Sequence, residues 1–183
     1  MNPLLLLIDI QNDYFSGGTM ELAGMYKATQ NAQQLLNLFR EKAWPIVFIQ
    51  HIAMRANATF FISGTFGAEI HEAVKPQKNE TVIIKNYPNS FRETGLNEYL
   101  QSMNISELVI CGSMIHMCID TTTRAAKDLG YSSKLISDAC ATRDLVYNNQ
   151  VVKAADVQLA YMAALNGSFA EVITTAQFLN DLI

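Results

Sequence analysis

Six short stretches, Leu4–Ile8, Ile46–Ile49, Val82–Ile84, Leu108–Ile110, Lys134–Ile136 and Val172–Ile173, are apolar at successive positions with no polar alternation. A strand built this way has no solvated side, so both of its faces must be covered. Helical patterns lie between the runs. Ala28, Ala32, Leu35, Leu36, Phe39 and Ala43 recur at helical spacing, and Trp44-Pro45 ends that helix before the second run. Ile119, Thr122, Ala126 and Leu129 form a second such face that stops at Gly130, and Val152, Ala155, Leu159, Met162 and Ala163 a third that stops at Asn166-Gly167. Strand alternating with helix predicts a doubly wound α/β domain: a mainly parallel six-stranded sheet with right-handed crossovers, helices on both faces and a Rossmann-like order 3-2-1-4-5-6.

Residues 1–183 read as one domain, with half of them hydrophobic and no linker, repeat or low-complexity tract. The segment from Arg55 to Lys78 has no clear period. Its Phe60, Phe61 and Phe66 predict a packed, pocket-forming loop over the sheet edge. A net charge of -4 argues against a nucleic-acid or anionic-membrane binder and for a small-molecule partner. Three cysteines without framework spacing read as reduced thiols, which suits the cytoplasm. The run Leu4–Ile8 is too short for a signal peptide, and no segment has the length of a membrane span.

Ligands of open α/β sheets bind beyond the carboxyl ends of the strands. Three polar residues fall there. Asp9 ends the first strand, Lys85 ends the third, and Cys118 follows the fourth at the start of a helix expected over Ile119–Leu129. With the order 3-2-1-4-5-6, Asp9 and Cys118 are neighbours, and Lys85 stands two strands away, on the order of 10 Å. Lysine is long enough to reach back. A carboxylate beside a thiol can take its proton, and an ammonium can stabilise a thiolate or an oxyanion. The helix N-terminus is expected to favour the thiolate at Cys118. Taken singly, the three have ordinary structural roles as core thiol, turn residue and solvated strand end.

The segments Leu7-Ile8-Asp9-Ile10-Gln11-Asn12-Asp13-Tyr14-Phe15, Ile84-Lys85-Asn86-Tyr87-Pro88-Asn89-Ser90-Phe91 and Cys111-Gly112-Ser113-Met114-Ile115-His116-Met117-Cys118, with Thr122 one turn later, together resemble the isochorismatase-like cysteine hydrolases, a family that includes nicotinamidases and N-carbamoylsarcosine amidohydrolase. The resemblance covers essentially the whole chain. It implies the same α/β fold and a catalytic triad of Asp9, Lys85 and Cys118. It further implies a cis peptide at Ser113-Met114 that aims the backbone N–H groups of Met114 and Cys118 at the substrate oxygen. The chain departs from the metal-dependent nicotinamidases of this family at Ile49-Gln50-His51-Ile52-Ala53, where their Asp-x-His motif is missing. His51, His71 and His116 are the only histidines and lack paired ligand spacing, so neither metal nor other cofactor is expected.

Phe15, His51, Tyr87, Phe91, His116 and Met117 are candidate pocket walls, although aromatic and Met residues are as readily core. Asp138, Arg143 and Asp144 read as loop-ordering charges after the fifth strand. Cys111 and Cys140 read as packing. The combined expectation is a metal-independent cysteine hydrolase that cleaves a C–N bond of a small amide, carbamoyl or ureido compound through a thioester. Vinyl-ether hydrolysis of the isochorismatase type and a non-catalytic binding protein of the same fold are the alternatives. Apolar surplus on the helix after Cys118 and on Val151–Leu165 predicts a homodimer or higher even oligomer, with His116 and Met117 near the contact.

Overall fold

The computed structural model describes residues 2–182. Its strands in chain order are β1 (Leu4–Ile8), β2 (Ile46–His51), β3 (Thr81–Lys85), β4 (Glu107–Ser113), β5 (Ser132–Ala141), β6 (Leu145–Tyr147), β7 (Gln150–Val152) and β8 (Glu171–Ile173). Six of them form one sheet in the order β3-β2-β1-β4-β5-β8, every pair parallel. The expected order is therefore realised, with β8 as the sixth strand. The helices are α1 (Met25–Glu41), α2 (Leu96–Ser102), α3 (Asp120–Asp128), α4 (Ala154–Leu165) and α5 (Thr175–Asn180).

The unbroken apolar runs are explained by two cores, one on each side of the sheet. Leu5 and Leu7 of β1 point with Phe48, Val109 and Ile136 toward Leu35, Leu36 and Phe39 of α1 and Phe178 of α5. Leu4, Leu6 and Ile8 point the other way, with Val47, Ile49 and Ile110, toward Leu96 and Leu100 of α2, Ala126 of α3 and Val157, Met162 and Leu165 of α4. Every residue of β1 is buried. Truncating any one of these leucines to alanine would cost about 2–5 kcal/mol.

Three expectations are corrected, and one element is new. The run Val82–Ile84 is not covered on both faces, because β3 is an edge strand; Val82 and Ile84 are exposed. The face Ala155, Leu159, Ala163 on α4 is exposed, and Val152 belongs to β7; the buried residues are Val157, Met162 and Leu165. An alanine-rich helix is apolar on every side, so its pattern does not identify the inner one. The antiparallel β6–β7 hairpin was not anticipated, because its short strands expose most of their residues. Asp138 lies within β5, which runs on to Ala141, rather than after it. The Arg55–Lys78 segment packs through Phe61, Ala68 and Val74, which are buried, while Phe66 is exposed.

Candidate active site

The carboxyl ends of β1, β3 and β4 bring Asp9, Lys85 and Cys118 into one buried cluster. Asp9 leaves β1 with a φ of 52°, a left-handed conformation that aspartate tolerates, and its N–H donates to Ile49 O at 3.0 Å. Gly112 of β4 stands beside Ile8 in register and has a φ of 127°. A Cβ on Gly112 would collide with the Ile8 carbonyl oxygen, so only glycine lets the strand pass this close to the residue before Asp9.

Lys85 is the last residue of β3 and pairs in register with His51 of β2. Its side chain crosses β2 to put Nζ 2.9 Å from Asp9 Oδ2, and Nζ also donates to Pro88 O at 2.8 Å. Both side chains are sealed from solvent. Neither Asp9 oxygen accepts a hydrogen bond of good geometry from the described residues, so its partnership with Lys85 is an ion pair by proximity. Burial opposes the charge on each. The attraction nevertheless wins: Asp9 is held below the usual carboxylate range, mainly by the Lys85 ammonium, and Lys85 is raised mainly by Asp9.

Cys118 sits inside a π-helical turn, Ile115–Ile119, and α3 begins only at Asp120. The expected helix start at Ile119 is thus preceded by a wider turn, in which Met114 O accepts from both Met117 N and Ile119 N. Such turns recur at functional sites because they re-aim one side chain. The Ser113–Met114 peptide is cis. Cys118 is 3 % exposed, and its Sγ lies within 4.8 Å of an Asp9 carboxylate oxygen. The expectation of a resting thiolate is corrected here. Burial first, and the Asp9 carboxylate second, push the thiol pKa well up against the pull of Lys85, so the group rests as a thiol.

His51 is closer to the chemistry than a pocket wall. Its Nδ1 lies 4.0 Å from Cys118 Sγ and 3.7 Å from Asp9 Oδ2. Gln11 fixes its backbone: His51 N–H donates to Gln11 Oε1 at 2.8 Å, and Gln11 Nε2 donates to His51 O and Ala68 O at 2.9 and 2.7 Å. Gln11 and Asp13 were not singled out from the sequence. The signal the sequence offered is only that both are polar residues within five positions of a buried strand's carboxyl end; the structure buries both. The Asp13 carboxylate accepts from Phe61 N and from the Thr19 hydroxyl and so ties the Arg55–Lys78 segment to the loop after β1. Gly67 packs against that carboxylate so closely that a Cβ would overlap it.

The remaining candidates divide. Phe15 stacks on His71 at 3.7 Å and lines a cavity of about 560 Å³ with Tyr26, Phe60 and Phe66; none of Asp9, Lys85 and Cys118 lines it. Tyr14, one residue earlier, turns inward. Its ring packs 4.7 Å from that of Phe61, and burial, with the Asp9 carboxylate nearby, raises its pKa. Tyr87 carries the Arg92 guanidinium on its face, and Phe91 stacks on Tyr131. His116 Nδ1 lies 2.6 Å from Thr142 Oγ1, and Met117, inside the π-helical turn, is exposed. Thr122 of α3 accepts from Ser90 N and donates to Ser90 Oγ, tying the loop that follows Lys85 to α3. Histidine spacing alone overlooked that the fold would bring His51 to a carboxylate and a thiol. A cation placed between them would face the Lys85 ammonium, 2.9 Å from the carboxylate.

Residues 3–177 match the family model of the isochorismatase domain. An uncharacterized isochorismatase family protein of Bacillus subtilis is 50% identical over 98% of this chain and 99% of its own length. Streptothricin hydrolase of Streptomyces noursei is 31% identical over 91% of this chain and 57% of its own. A crystal structure classed with the isochorismatase hydrolases, from Oleispira antarctica, superposes with a TM-score of 0.94 at 43% identity, covering 98% of this chain and 96% of that one. No helix among the described residues is long and apolar enough to cross a membrane.

Proposed function

Because the chain belongs to the isochorismatase family of hydrolases, we propose that it is a metal-independent cysteine hydrolase that cleaves a C–N bond of a small amide, carbamoyl or ureido compound. The observation that carries the reading is the buried Asp9 carboxylate, held ionised by Lys85 at 2.9 Å and within 4.8 Å of a Cys118 thiol. A thiol that rests protonated needs a base at the moment of attack. Asp9 takes the proton as Sγ adds to the carbonyl carbon; the Met114 and Cys118 N–H groups and Lys85 stabilise the oxyanion. The proton passes from Asp9 to the departing nitrogen, the C–N bond breaks, and a thioester on Cys118 remains for water to hydrolyse. Retention of a cysteine at this place favours C–N cleavage over vinyl-ether hydrolysis, which needs no thiol. The relative named streptothricin hydrolase also points to hydrolytic chemistry within reach of this scaffold.

The low exposure of Cys118 favours one second reading, a small-molecule-binding protein without turnover. Ammonia or amine release from a panel of primary amides, carbamoyl and ureido acids, measured after exhaustive chelation, separates the two. Turnover is expected. Silence across the panel in a folded protein whose Cys118 also resists acylation supports the binding protein instead.

A further inference from the structure

We infer that His51 is the general base of thioester hydrolysis, a role that rests on the cysteine-hydrolase reading above and divides the proton transfers between two residues. Asp9 and Lys85 have fully buried side chains, whereas the His51 side chain keeps 15% exposure while its Nδ1 lies 4.0 Å from Cys118 Sγ. Water that attacks a carbonyl carbon bonded to that sulfur arrives from the solvent side. Of Asp9, Lys85 and His51, His51 is the one whose side chain keeps solvent exposure. Asp9 is poorly placed for the second step, since its side chain is fully buried and paired with the Lys85 ammonium at 2.9 Å, whereas His51 is partly exposed.

The surroundings of His51 hold the ring in place. Asp9 faces it from the end of β1, Lys85 is its register partner on β3, Cys118 faces it from the π-helical turn, and the Phe61 ring packs 5.7 Å away. In deacylation the water oxygen bonds to the carbonyl carbon as His51 accepts its proton. The tetrahedral intermediate then breaks the C–S bond, the thiolate recovers that proton from the imidazolium, and the acid leaves with Cys118 and His51 restored.

The test uses p-nitrophenyl acetate, whose leaving group departs without acid assistance, on wild type, His51→Gln and His51→Ala. Gln11 grips the main chain of residue 51, so both substitutions leave that grip in place. The expected result is a burst of p-nitrophenolate near one per site in His51→Gln, an acetyl group persisting on Cys118 by intact mass, and a steady-state rate reduced roughly 10²–10⁴-fold. Added imidazole should restore turnover in His51→Ala. An unchanged steady-state rate with no trapped acetyl group overturns the assignment, and so does loss of the burst in folded variants, which would move His51 to thiol activation. The parent reading fails separately if folded Cys118→Ala releases p-nitrophenolate as fast as wild type.

Discussion

Replacing Lys85 with methionine removes the ammonium and leaves the Asp9 carboxylate buried, at 0% exposure, with no hydrogen bond from the described residues. Both side chains are fully buried, so solvent does not screen the loss. Breaking such a pair from one side costs about 3–5 kcal/mol, whereas removing both charges can be close to neutral. For a chain of this size that corresponds to a fall in Tm of roughly 6–20 °C. Lys85→Met, Asp9→Asn and the double variant should be unfolded in urea near pH 7. Each single variant is expected to lose several kcal/mol and the double variant less than the sum of the two. The pH dependence carries a sign. The Asp9 pKa is lowered on folding, so its share of stability is full above the unfolded carboxylate pKa and fades as pH falls through the folded one. The Lys85 pKa is raised, so its share is full below the unfolded lysine pKa and fades as pH rises through the folded one. A Lys85→Met protein within about 1 kcal/mol of wild type, or strictly additive single changes, would refute the reasoning.

Three shorter predictions accompany this one. Gly112→Ala should melt well below wild type and lose turnover, because its Cβ meets the Ile8 carbonyl beside Asp9, while Gly95→Ala, with nothing within 4 Å, should melt normally; equal melting temperatures would contradict the close approach. Asp9→Asn should alkylate Cys118 faster with iodoacetamide near neutral pH and yet turn over more slowly, since the carboxylate raises the thiol pKa at rest and serves as base only in the reaction; slower alkylation would place Asp9 as the activator of a resting thiolate. α3 exposes no apolar residue, which corrects the surplus expected on the helix after Cys118. A homodimer or higher even oligomer is therefore expected through the exposed Leu159 of α4 (71%) with Val146 (69%) and Tyr147 (77%) of the adjoining hairpin instead of around His116 and Met117; light scattering that gives a monomer mass at micromolar concentration would rule it out.

How much was legible in the sequence follows from which forces set each feature. The strands were readable because burial on both faces is written in local composition; the sheet order followed from the common order of doubly wound domains, and given that order a lysine two strands away has the reach to meet Asp9. The protonation state of Cys118 was not readable. The helix start alone favours a thiolate, but the balance depends on total burial and on the distance to Asp9, which only the packed structure supplies. The same holds for His51, whose place beside the thiol comes from β2 lying between β1 and β3. Phe15 and Tyr14 are adjacent in the chain and both buried, and nothing in their spacing tells that Tyr14 packs against Phe61 while Phe15 stacks on His71. The face of α4 was unreadable because alanine burial costs little to exchange, and the neighbouring elements choose the side.

The most direct measurement is ammonia or amine release by wild type and Cys118→Ala on whichever member of the amide, carbamoyl and ureido panel turns over, with thermal melting of both proteins. Cys118→Ala is expected to lose turnover to background while melting close to wild type, since a small side chain replaces a thiol at the end of a turn held by backbone hydrogen bonds to Met114. Undiminished release by the folded Cys118→Ala protein would contradict the cysteine mechanism at its root.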